Sequence, residues 1–215
     1  MKKKFITAVV LALAVISAAI AFTACGDSNP PGTETYTFAA ALTDLDDVEG
    51  EGFSGGEGGI SMIAKDYDGE WETISGYYVS YLYVENTALT FEITSDRAVD
   101  DAKIVLSLSA EGKPEITIDP EIYTVSVNGT ALDYAPITFY DIPNVVGEVY
   151  AFKQYTVGEN ISLQEGKNVI KLISSNNISM GGTTKATAPM VDCVQITTSA
   201  KLTWSPRTDN LDQFA

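Results

Sequence analysis

Histidine is absent from all 215 residues. Its absence removes Ser-His-Asp and Cys-His catalysis and the usual zinc ligand sets, leaving carboxylates, tyrosine, lysine and serine as the groups available for chemistry. Basic residues are scarce: 13 Lys and Arg stand against 29 Asp and Glu, a net charge of −16. Such a chain lacks the clustered Lys and Arg that phosphate neutralisation needs, so nucleic acid is excluded as a partner. Nor would anionic headgroups attract it. Cysteine occurs only as Cys25 and Cys193. Beyond Cys25, no stretch longer than about ten residues keeps a helical apolar face. The chain also has no internal repeat and no low-complexity tail.

What is present begins with the head. Lys2, Lys3 and Lys4 precede an almost uncharged run from Phe5 to Ala21, which leads into Phe22-Thr23-Ala24-Cys25. The arrangement resembles a bacterial lipoprotein signal peptide, in which the small residue before the cysteine permits cleavage and the thiol receives the lipid. The expectation is a signal over 1–24, lipidation of Cys25, and a place at the extracytoplasmic face of a bacterial cell membrane. The competing reading is an uncleaved transmembrane anchor, for which a run of about 17 residues reaches only the lower end of the spanning range. Losing three lysines leaves ten basic residues against 29 acidic ones, a charge of −19, so membrane contact would rest on the lipid. With Cys25 acylated, Cys193 has no disulfide partner, and the chain must be held by its core. The 191 residues that remain of 215 are enough for one domain with a sizeable core.

Residues 25–35 are polar and carry Pro30-Pro31, which reads as a tether. Apolar residues then recur at period two. Phe91 and Ile93 alternate with Thr90, Glu92 and Thr94; Ile104, Leu106 and Leu108 alternate with Ser107 and Ser109; Tyr123, Val125 and Val127 precede Asn128-Gly129, a hairpin turn signal. Further strands are expected over 36–39, 77–83, 152–157, 168–172 and 191–197. Many short strands separated by turns imply an all-β sandwich over 36–204, with its loops gathered at the ends. Two loops stand out, Asp66 to Gly76 and Asn128 to Tyr150, and long loops on a rigid scaffold are where binding tends to reside. Trp204 shows no partner strand, and 205–215 reads as a C-terminal tail.

These pieces also carry a resemblance. Thr35 to Gly56, Gly76 to Glu92, Tyr123 to Gly129, Leu163 to Leu172 and Ala186 to Thr197 are similar, in order and rough spacing, to carbohydrate-binding modules of families six and thirty-five. The resemblance implies a galactose-binding-like jelly-roll sandwich that binds an oligo- or polysaccharide through its end loops and performs no chemistry. It also implies a structural Ca²⁺, held by acids on the first strand and an Asp on the last. Asp192 matches that Asp, whereas Ala39-Ala40-Ala41 stand where the first-strand acids belong. Asp44, Asp46, Glu49 or Glu51 are the substitutes at hand, since calcium takes six to eight oxygens. Asp192 reads equally as a buried carboxylate paired by hydrogen bonds.

Sugars lay their C–H faces on aromatic rings while amides and carboxylates grip their hydroxyls. Trp71, in the polar segment Asp66 to Gly76, is the expected stacking platform. Tyr77 and Tyr78 must face opposite sides of a strand, so one should point outward, as should one set among Tyr81 and Tyr83. Their competing role is packing within the sandwich. Asn176 and Asn177, before the last strand, are read as hydroxyl partners or as turn formers. Two other functions compare with sugar binding. A glycoside hydrolase would need paired carboxylates, and the 29 acids show no spacing that marks such a pair. A surface adhesion or assembly protein could use the same sandwich to bind cell-surface proteins.

Overall fold

In the computed structural model, which describes residues 32–45, 63–69, 71–80, 82, 86–109, 115–140, 152–175 and 188–214, the period-two segments are strands. In chain order they are β1 (Glu34–Ala39), β2 (Ile63–Lys65), β3 (Tyr77–Val79), β4 (Ala88–Ser95), β5 (Val99–Ser109), β6 (Glu115–Ile118), β7 (Tyr123–Val127), β8 (Thr130–Ala131), β9 (Ile137–Tyr140), β10 (Lys153–Leu163), β11 (Gly166–Ser174), β12 (Met190–Thr198) and β13 (Leu202–Trp204). The larger sheet runs β10-β5-β12-β3-β2, with β1 also paired to β12; the smaller runs β13-β4-β11-β7-β8. All of these pairings are antiparallel. The chain is an all-β sandwich, as its sequence pattern implies, and a jelly roll, as the family resemblance implies.

Alternation explains the two layers. Ile104, Leu106 and Leu108 of β5 and Val194 and Ile196 of β12 turn inward from the larger sheet, and each is fully buried. Leu89, Phe91 and Ile93 of β4, Ile170 and Leu172 of β11, and Val125 of β7 meet them from the smaller sheet. At about 25 cal/mol per Å² of apolar surface removed from water, this shared core is the main stabilising term. The Asn128-Gly129 turn joins β7 to β8 with φ +52° and +80°, the paired positive angles of a type I′ hairpin.

Three expectations need correction. Of residues 77–83, Tyr77–Val79 are strand, and the described Ser80 and Leu82 are not. The segment 128–150 is not all loop, because β8 completes the β7 hairpin and β9 pairs with β6 in a separate two-stranded ladder. Trp204 does have a partner strand: β13 pairs with β4, Trp204 opposite Ile93, and the indole meets Phe38 edge-on at 5.4 Å. The tail that follows is docked as well. Thr208–Phe214 form a 3-10 helix, and the buried Asn210 amide donates to the carbonyls of Ala41 and Thr43 at 3.0 and 2.8 Å. Cys25, residues 1–24, Asp46, Glu49, Glu51, Tyr81, Tyr83, Asn176 and Asn177 lie outside the described residues.

Candidate functional site

The loop from Asp66 to Gly76 is built around two carboxylates. Asp66 opens it by donating its N–H to Gly76 O at 2.9 Å. Its carboxylate then accepts the Trp71 N–H at 2.8 Å, the Thr73 N–H at 3.0 Å and the Thr73 hydroxyl at 2.7 Å. A short side chain that takes up several main-chain donors of its own loop fixes a turn without strand pairing. Left-handed backbone at Gly69 and Gly76, φ +71° and +81°, lets the chain reverse twice within eight residues.

The second carboxylate reaches in from the opposite end of the sequence. Asp192 is fully buried, and its two oxygens accept the N–H groups of Ile74 and Ser75 at 2.8 and 3.0 Å. Its direction follows from a break in the strand: the β12–β5 register shifts between Val191 and Cys193, leaving Asp192 as the extra residue. Such a bulge re-aims a side chain that regular alternation would place elsewhere. Cys193 Sγ lies 3.6 Å from Asp192 Oδ2. Burial, the Asp192 charge and this contact push the Cys193 thiol well above its ordinary range.

Held this way, the loop lays Trp71 over the outer face of the larger sheet. Val79 and Val191 are opposite one another and point into the core, so their neighbours Tyr78 and Met190 face outward. Trp71 and Tyr78 have ring centroids 5.3 Å apart, Tyr78 and Phe152 likewise, and Met190 completes the cluster. The Trp71 carbonyl accepts the Phe152 N–H at 3.1 Å. Tyr78, Phe152 and Met190 are buried beneath the loop, whereas Trp71 is half-buried. The cluster sits where β3 ends and β10 and β12 begin, which is one end of the sandwich.

The expected site residues therefore separate. Trp71 and Tyr78 come together, but Tyr78 is the layer under Trp71 and not an open surface. Tyr77 faces the other way, packs against the main core and lies 5.5 Å from the Phe214 ring. Phe152, Met190 and Asp66 were not singled out in the sequence, because neither the clustering nor the loop clamp has a local motif.

The described residues do not fit the calcium site that the family resemblance implies. Ala40 and Ala41 are fully buried in the core and offer no side-chain oxygen. Asp44 pairs with Arg207 at 2.7 Å, and both Asp192 oxygens already accept main-chain donors. Among the described residues, no three acidic or thiol side chains converge on one point.

No protein-family model matches the chain, and no curated protein matches it in sequence. Solved structures do match. A family 35 carbohydrate-binding module from an environmental isolate aligns over 79% of this chain and 97% of its own, with 14% identity and a TM-score of 0.50. A family 35 module from Cellvibrio japonicus covers 79% of this chain and 96% of its own at 11% identity, TM-score 0.48. A third, determined in complex with a disaccharide containing glucuronic acid, covers 78% and 95% at 12% identity, TM-score 0.46. At such identities the likeness is one of fold, and the first of these structures carries it.

Proposed function

We propose that this chain is a non-catalytic carbohydrate-binding protein, held at the outer face of a bacterial cell membrane by a lipid on Cys25, with its sugar site on the loop end that Trp71 caps. The observation that carries the reading is the clamped aromatic cluster. Trp71 is half-open, backed by Tyr78 and Phe152, and held by carboxylates at both ends of its loop. A ring fixed before the ligand arrives loses little entropy on binding, and its exposed part suits the C–H face of a pyranose. The sandwich fold, shared with a carbohydrate-binding module, and the absence of histidine favour binding over turnover. Asn176 and Asn177, which precede β12 in the sequence and lie outside the described residues, are the proposed hydroxyl partners.

A glycan panel followed by calorimetry tests the reading. Trp71→Ala should weaken binding to any retained glycan by about 1 to 3 kcal/mol through lost stacking area. Trp71 also packs on Tyr78, so the same variant should lose a little thermal stability; Trp71→Phe, which keeps a ring, should restore much of both. Turnover of a retained glycan would assign an enzyme. A wild type silent to every glycan would favour the protein-adhesion alternative.

A further inference from the structure

The outer face of the smaller sheet carries a cleft of about 1010 Å³ that shares no residue with the Trp71 cluster. Thr90, Glu92 and Thr94 of β4 and Lys167, Val169 and Lys171 of β11 form its floor, in directly opposed pairs. Thr203, Ser205 and Arg207 wall one side, together with Asp44.

The charge of this cleft runs against that of the chain. Among the described residues, three of the 13 Lys and Arg line it against two acids, in a protein of net charge −16. Both acids are paired: Glu92 with Lys167 at 2.5 Å and Asp44 with Arg207 at 2.7 Å. The first pair is about three-fifths exposed on either side. Pairs this exposed contribute little and exchange partners easily, so Lys167 is available to a ligand anion at small cost.

We propose that this sheet face is a second binding surface, for an anionic polysaccharide laid along β4 and β11. Lys167 and Lys171 lie on one face of β11 four residues apart, about 13 Å at strand rise. A single sugar cannot touch both, and an extended chain can. The floor strands are interior to the smaller sheet, so their main-chain groups are spent and no peptide can add to them as a further strand. What they offer is hydroxyls and amines, with Val169 as the apolar patch between the two lysines. That chemistry suits a hydroxyl-rich polyanion better than a peptide that needs side-chain pockets.

Binding of the purified protein to polygalacturonate and dextran sulfate, with neutral dextran and polyglutamate as controls, is the test. At low salt at least one of the two anionic glycans should bind, the carboxylate and sulfate arms telling which anion is preferred, and affinity should fall as salt rises. Lys167→Ala/Lys171→Ala should weaken binding by roughly tenfold or more. Thr94→Glu, an added charge at an exposed floor position, should weaken it as well, and this variant decides the matter if the double variant does not fold. The proposal is overturned by a folded double variant that binds as the wild type does, by equal binding of neutral dextran, or by no polyanion binding at low salt. Polyglutamate bound as tightly as the glycans would assign a protein partner instead. Loss of Trp71-dependent glycan binding would leave this test standing, since the two surfaces are separate.

Discussion

Replacing Asp192 removes the carboxylate that ties the Trp71 loop to β12. In the wild type its carboxylate accepts two main-chain donors, at 2.8 and 3.0 Å, from a fully buried position. Asp192→Ala leaves both N–H groups without that acceptor, at about 1 to 3 kcal/mol for each buried donor left unpaired. Ile74 and Ser75 are half-buried, so water reaches them in part, and the lower half of that range applies: about 3 kcal/mol in all. Asp192→Asn keeps one acceptor and turns its amide donor toward the other N–H, for a loss of about 2 kcal/mol. In a domain of this size 1 kcal/mol moves the melting temperature by about 2 to 4 °C, so the alanine variant should melt about 6 to 12 °C below the wild type. Thermal unfolding followed by tryptophan fluorescence measures this, and hydrogen exchange at residues 74 and 75 should quicken in both variants. Chelator should leave the wild-type melt in place, because the stabilising partners of Asp192 are main-chain amides. Two variants that melt with the wild type would refute the clamp. A chelator effect as large as the mutation would show Asp192 to be a metal ligand instead.

The layers were legible because alternation is a local signal: Ile104, Leu106 and Leu108 declare one face in five residues, and that face is fully buried. Most strands of two to four residues were not. β2, β6, β8 and β9 are too short to show a period, and they exist because a neighbouring strand pairs with them. Trp71 could be picked out from its polar setting. Tyr78 could be picked out beside it, but Phe152 and Met190 could not, since sheet order brings them together and sequence pattern does not fix sheet order. The Asp192 bulge did leave a trace. Val191, Val194 and Ile196 are all buried in the core, and strict alternation from Val191 would turn the latter two outward, so the apolar phase itself demands one extra residue between 191 and 194. The Ala39 to Ala41 departure has its reason in the same corner, where β1 ends in a 3-10 turn packed against β3 and β12 and leaves no room for carboxylates and their water.

Cys25→Ser should abolish labelling by a fatty-acid analogue and release the protein from membranes; a variant that stays anchored after signal cleavage would refute lipidation at Cys25. The last expectation concerns Cys193, whose thiol is fully buried beside the Asp192 carboxylate. Burial and that charge raise its pKa in the folded state, above an unfolded value of about 8.5. The protonated thiol is thus the form the fold favours. Its contribution to stability is whole below the unfolded pKa and is lost as pH rises through the folded one. Wild-type melting temperature should therefore fall more steeply above about pH 8.5 than that of Cys193→Ala, which has no thiol to ionise. Iodoacetamide labelling, read by mass spectrometry on the peptide containing Cys193, should be slow in the native protein and fast in denaturant, because the thiolate is the nucleophile. Native labelling at the denatured rate, or identical pH slopes for the two proteins, would mean that the β12 bulge opens to solvent and that Asp192 does not hold the loop closed over it.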